Sequence, residues 1–267
     1  MQAPNSTAGG RWPLQLFTIA GFTLLEAWRS RLPWLLAGSL ALALAAGLFA
    51  AELAITESAR FRIALIASGV RFAWVFILAV YVISSLTREL NERGFESALS
   101  LEVTRTTWVL GKLAGFISLA AVAVGSVCVM LLIALPPLAA LAWSASLLFE
   151  LAIVIAMAQF FTLSLASVPA AAVLSAALYV LTRSIDALVL IASGSPLLAA
   201  GPWRDLSRLG TEALSWVLPS LDRFAQTGWL VDQLPAPGML GLQFVQCLVF
   251  VSLLTAAALV DFHRRDL

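Results

Sequence analysis

The chain has 267 residues, of which 61% are hydrophobic and 12% charged, with a formal net charge of +1 and a mean hydropathy of +0.96. Soluble domains carry about 25% charged residues, so this composition excludes an ordinary soluble enzyme. The near-zero net charge excludes nucleic acid as a partner, because there is no cationic excess to neutralise phosphates.

The N-terminal residues Met1 to Arg11 are polar and small, without the apolar stretch of a cleaved signal peptide. Leu14–Arg29 places Leu14, Phe17, Gly21, Leu24, Leu25 and Trp28 at spacings of three and four, with Gln15, Thr18, Glu26 and Arg29 among the rest. That spacing predicts an amphipathic helix lying in the membrane interface, too short and too charged at its end to span. Trp12, Trp28 and Trp34 suit headgroup depth.

A spanning helix needs about 20 apolar residues, and six segments qualify. The first, Leu32–Ala51, is uncharged and has Pro33 in its first turn, where a missing N–H costs nothing. The second is Ile63–Leu86, which contains Arg71. Thr87 to Lys112 is a charged connector with Arg88, Glu89, Glu92, Arg93, Glu96, Glu102 and Arg105. Leu113 to Thr182 then forms a 70-residue run in which Glu150 is the sole charge. Since a charge at the centre of a span costs about 2.5–3.5 kcal/mol, the run belongs in the bilayer and the cluster outside it. The run divides into Leu113–Leu135, ended by Pro136-Pro137, then about Ser146–Val168, and about Ala170–Ile191, opened by Pro169. A long connector, Ala192–Gly238, holds Pro196, Pro202, Pro219, Pro235 and Pro237 and an amphipathic stretch Leu206–Leu218; it reads as half-helices at the outer interface. The sixth span is about Met239–Val260, before a polar tail.

The expected fold is therefore an all-α membrane protein. Residues 1–31 form a cytoplasmic tail and interfacial helix and residues 32–260 a six-span domain. That domain has a cytoplasmic loop at 87–112 and an outer loop at 192–238, and residues 261–267 form a second cytoplasmic tail. With both termini inside, the inner parts hold nine Lys or Arg and the outer parts five, the direction the positive-inside rule expects. Cys128 and Cys247 lie in apolar runs and read as small core residues.

Four charges fall within or near spans: Arg71, Glu150, Arg183 and Asp186. Placed toward the outer side, they are candidates to line an outward vestibule or lateral opening. Arg183 and Asp186, three apart on one helix face, could equally pair locally or reach the headgroups. Around Gly94 in the charged connector, Phe95, Leu99 and Leu101 form an apolar edge, and Glu92, Arg93 and Glu96 a charged face. Such a helix suits docking to a soluble partner, although a solvated connector has the same composition.

The stretch Glu92-Arg93-Gly94-Phe95-Glu96-Ser97-Ala98-Leu99-Ser100-Leu101-Glu102-Val103-Thr104-Arg105, followed by Val109-Leu110-Gly111-Lys112, resembles the signature of ABC-2 type transporter permeases, with Val103 where that family often has proline. Glu26-Ala27-Trp28-Arg29-Ser30-Arg31, Leu218-Pro219-Ser220-Leu221 and Phe262-His263-Arg264-Arg265-Asp266-Leu267 agree with it. The resemblance implies an exporter-type permease subunit of a bacterial inner membrane, dimeric and driven by a separate ATPase chain. It implies that Arg88, Glu89, Glu92, Arg93, Glu96 and Arg105 belong to a coupling helix seated on that ATPase, which would bind the ATP and Mg. This chain carries no cofactor by that reading, and no G-x-x-x-x-G-K-[ST] occurs in it. Lys112, the sole lysine, reads as a snorkelling anchor at the cytoplasmic interface.

Membrane-embedded enzymes fit poorly. The single histidine, His263, stands in the C-terminal tail, far from any serine nucleophile in a span, and the membrane acids are scattered. A self-sufficient secondary transporter is the alternative; it would need broken helices and coupling carboxylates near the midplane.

Overall fold

The computed structural model describes residues 12–53, 58–91, 104–165, 167–194, 219–231 and 235–264. Among these residues the chain is all-helical. Six helices are long and apolar enough to cross a membrane, which makes this a multi-pass membrane protein. The elements are α1 (Trp12–Arg29), α2 (Leu32–Leu53), α3 (Ser58–Asn91), α4 (Arg105–Ala134), α5 (Pro137–Leu165), α6 (Val168–Gly194), a 3-10 turn at Leu221–Arg223, a one-turn helix α7 (Gly228–Val231) and α8 (Met239–Arg264).

Several helices are longer than their apolar cores. α3 continues through Thr87 to Asn91, and α4 starts at Arg105, because Thr104 caps it by accepting from the Thr107 amide at 3.2 Å. Pro136-Pro137, expected to close a span, instead marks a sharp boundary between two. Pro137 is the first residue of α5, where a proline is preorganised for helix and its missing N–H is harmless. α5 therefore begins nine residues before the expected Ser146.

α5 is the axis of the bundle. In its most apolar window 72% of residues are buried, against 11% in α2 and 17% in α8. α3, α4, α6 and α8 surround it, α2 lies on α3, and α1 lies on α4. The peripheral helices face outward with Trp34, Leu42 and Phe49 on α2 and Leu242, Val245, Leu248 and Leu253 on α8, as lipid-exposed helices do. We call the end of the bundle that carries Arg29, Asn91, Arg105 and Arg264 the α1 end, and the other the far end.

α1 is held by close backbone approach. A Cβ on Gly111 would meet Ile19 Cβ at 2.8 Å, and one on Gly115 would meet Thr23 Cβ at 2.7 Å. Thr23 and Ala27 are buried in that seam. Of the predicted apolar edge, Leu14, Phe17, Gly21, Leu25 and Trp28 are exposed and Phe22 joins them, while Leu24 packs partly buried against the core. α1 thus has a small-residue stripe toward α4 and a bulky apolar stripe outward.

Candidate functional site

Two polar centres stand out in this apolar molecule. The first is at the α1 end. Lys112, although buried, places its ammonium 2.5 Å from Glu89 Oε2 and 3.9 Å from Glu26 Oε2. Arg88 pairs with Glu26 Oε1, and Trp108 Nε1 donates to Glu89 Oε1 at 3.1 Å. Helices α1, α3 and α4 each contribute charge, so the centre fixes their mutual register. Lys112, read as an anchor at the interface, has a side chain only 7% exposed and contacts two carboxylates at this end of the bundle. The Arg88 side chain is 60% exposed, so its pair with Glu26 contributes little.

Around that centre the feet of α4, α5 and α8 are tied together. Arg105 Nη1 donates to Phe262 O at 3.3 Å and its guanidinium lies 5.7 Å from the Phe262 ring centroid. Phe262 stacks on Trp108 at 6.0 Å, and Gln159 Nε2 donates to Val109 O at 2.9 Å. Of the expected coupling residues, Arg88, Glu89 and Arg105 are thus brought to one end of the bundle. Glu92, Arg93 and Glu96 lie outside the described residues, as does the expected helix around Gly94.

The second centre is deep in the bundle. Glu150 is fully buried at the middle of the 29-residue α5, not near its outer end as a span starting at Ser146 would place it. Its Oε1 accepts from Tyr179 Oη at 2.9 Å and from Arg183 Nη1 at 3.3 Å. Arg71, buried on α3, is within coulombic reach of both Glu150 and Arg183. Both guanidiniums lie against the Phe72 ring, at 5.0 and 6.0 Å, and Phe72 meets Tyr179 edge to face.

What the two arginines hold is backbone. Arg183 Nη1 donates to Leu221 O at 2.5 Å and to Phe224 O at 3.5 Å, and Arg71 Nη1 donates to Ala225 O at 2.7 Å. Gln243 Nε2 on α8 donates to Arg223 O at 2.7 Å, and Ser146 Oγ on α5 accepts from Ala225 N at 2.8 Å. Residues 221–225 are therefore a 3-10 turn with an irregular continuation, entering the far side of the bundle with Leu221, Phe224 and Ala225 wholly buried. Irregular backbone inside a membrane protein persists only where protein groups satisfy it. Here side chains from α3, α5, α6 and α8 do so. Ala225 has φ +45°, a conformation an alanine adopts at a cost, so the turn is shaped by these contacts.

Arg71, Glu150 and Arg183, singled out in the sequence as lining an outward vestibule or lateral opening, lie near one another around the buried turn; Tyr179, Ser146 and Gln243 were not singled out, and Glu26 and Trp108 had no such role. Two of the omissions had a signal: Tyr179 precedes Arg183 by one turn and Ser146 precedes Glu150 by one turn, each on the same helix face. Asp186 lies on α6, and its side chain is outside the described residues. Among the described residues no group of three or more His, Cys, Asp or Glu could hold a metal ion. The cysteines are free, and the Cys247 thiol lies 3.6 Å from Phe149 O. No protein-family model matches the sequence, and a search of curated proteins finds no match.

Proposed function

We propose that the chain is the membrane-spanning permease subunit of an ATP-driven ABC transporter, an exporter that works as a homodimer in a bacterial inner membrane. Its ATPase is a separate chain that binds the ATP and Mg. One observation carries the reading: Lys112 of α4 joins Glu89 of α3 and reaches Glu26 of α1 at the root of the 92–103 connector. A partner pressing on that connector would move three helices as one body, and through Arg105 and Trp108 the foot of α8 as well. This is the mechanical requirement for converting ATP-driven motion of a soluble subunit into rearrangement of a bundle. The resemblance of residues 92–112 to ABC-2 permeases points the same way, and in this reading both termini are cytoplasmic.

The test is co-purification with an ATPase subunit and measurement of its hydrolysis rate in proteoliposomes. Glu92→Arg with Glu96→Arg is expected to abolish association or stimulated hydrolysis. Unchanged association and rate in that variant would refute the coupling role.

A second reading, a self-sufficient secondary carrier, draws on the buried Glu150 near the 3-10 turn and irregular backbone at 221–225. Gradient-driven uptake of solute by the purified chain alone would favour it.

A further inference from the structure

Two apolar hollows lie end to end between α2 and α4, with α3 as their floor. One, about 220 Å³, is walled by Leu32 and Leu36 of α2, Trp74 of α3, and Leu119 and Ala123 of α4. The other, about 200 Å³, is walled by Leu44, Ile66 and Val127. Leu40 lines both, so they adjoin along one α2–α4 cleft. Along α2 it runs from Leu32 to Leu44, about 18 Å at 1.5 Å per residue. A single leaflet is about 15 Å of hydrocarbon, half of the roughly 30 Å core. The length therefore matches one acyl chain, and each hollow is far too narrow for a helix about 10 Å across.

Polarity appears at one extremity. The hollow at the far end is also lined by Arg62, near the start of α3, and by Trp143 of α5. The aliphatic stem of Arg62 is held near α2, where a Cβ on Gly47 would lie 3.4 Å from its Cγ.

The geometry points to a binding site for an anionic phospholipid drawn from the surrounding bilayer. One acyl chain lies along the α2–α4 cleft, and the headgroup phosphate meets the Arg62 guanidinium. The second acyl chain stays in the bilayer. Arginine is suited to the phosphate because its planar donors match the oxyanion. The site is independent of the ATPase-coupling reading and stands or falls without it.

Native mass spectrometry of the full chain, delipidated and then titrated with phosphatidylglycerol or phosphatidylcholine, tests the site. One phosphatidylglycerol per chain is expected to bind about tenfold or more tightly than phosphatidylcholine, roughly 1.4 kcal/mol. Arg62→Lys should keep that preference and Arg62→Glu should erase it. Ala123→Phe, which fills the cleft, should remove the bound lipid, with the circular dichroism of all variants unchanged. Equal affinity for the two lipids, or an Arg62→Glu or Ala123→Phe variant that binds phosphatidylglycerol like the parent, would overturn the assignment. So would disulfide cross-linking of Leu44→Cys to its counterpart in a second chain, which would give the cleft to a protein neighbour. If Arg62→Glu does not fold, the lipid preference of the parent and the Ala123→Phe result still decide.

Discussion

Glu150 accepts from Arg183 and Tyr179 through one carboxylate oxygen and lies within coulombic reach of Arg71, so its removal strands charge inside the bundle. Glu150→Ala is expected to destabilise the protein by about 3–5 kcal/mol, the cost of breaking a buried ion pair from one side. Tyr179→Phe loses one charge-assisted hydrogen bond and should cost about 1.5–3 kcal/mol. Thermal denaturation in a fixed detergent, followed by circular dichroism, distinguishes the two; equal losses would mean that the Tyr179 hydrogen bond, and not the arginine, carries the contribution of Glu150. At Ala225 the left-handed backbone predicts the opposite sign: Ala225→Gly should be neutral or stabilising by up to about 1 kcal/mol, whereas Ala225→Val should destabilise. Residue chemistry was legible in the sequence as far as membrane charges declare themselves. Arg71, Glu150 and Arg183 had to find partners in the protein because lipid offers none. The carbonyls of Leu221, Phe224 and Ala225 were illegible, since every residue has a carbonyl and only the fold decides which ones are left open.

Helices were read well where hydropathy changed and poorly where it did not. The start of α2 at Leu32 and of α8 at Met239 coincide with the expected ones. α3 and α4 run past the apolar boundary, and the start of α4 is set by the Thr104 cap and not by lipid. α1 shows the limit of reading amphipathicity from one stripe. Its outward apolar edge was visible in the spacing, but the opposite stripe of Ile19, Thr23 and Ala27 gained meaning only beside Gly111 and Gly115 on α4. At Gly115 a side chain would run into Ala20 O at 3.0 Å as well as Thr23. Gly115→Leu is therefore expected to lift α1 from α4 and break the contact of Glu26 with Lys112. A cysteine pair placed at Thr23 and Leu119 that cross-links in the parent should then cross-link several-fold more slowly; an unchanged rate would show that α1 does not depend on this seam.

For the molecule as a whole, the α1 end and the far end are built on different principles. At the α1 end charged side chains bind helix to helix, while at the far end they bind helices to a turn. Cutting one should leave the other standing. Lys112→Met is expected to cost roughly 1–3 kcal/mol, the loss of a charge-assisted contact that leaves partly solvated carboxylates behind. It should leave a cysteine at Phe224, in a chain lacking Cys128 and Cys247, as shielded from an impermeant maleimide as in the parent. Arg71→Ala with Arg183→Ala should expose that same cysteine. Labelling in both variants, or in neither, would show that the two ends are mechanically one.

The central position of α5 has a consequence for how the chain enters a membrane during synthesis. A helix with a carboxylate at its midpoint makes a poor solitary guest in lipid, yet α5 follows α3 in the chain and so meets Arg71 already installed. Arg183 arrives next with α6, and the turn at 221–225 comes only after both cations are present to receive its carbonyls. The order of the polar groups along the chain is thus an assembly schedule, in which each late arrival is admitted by a residue made before it. A chain stopped after α5 would retain Glu150 with Arg71 but no receiver for the later turn, and a chain that lost α3 would leave the axis of the bundle without its first host.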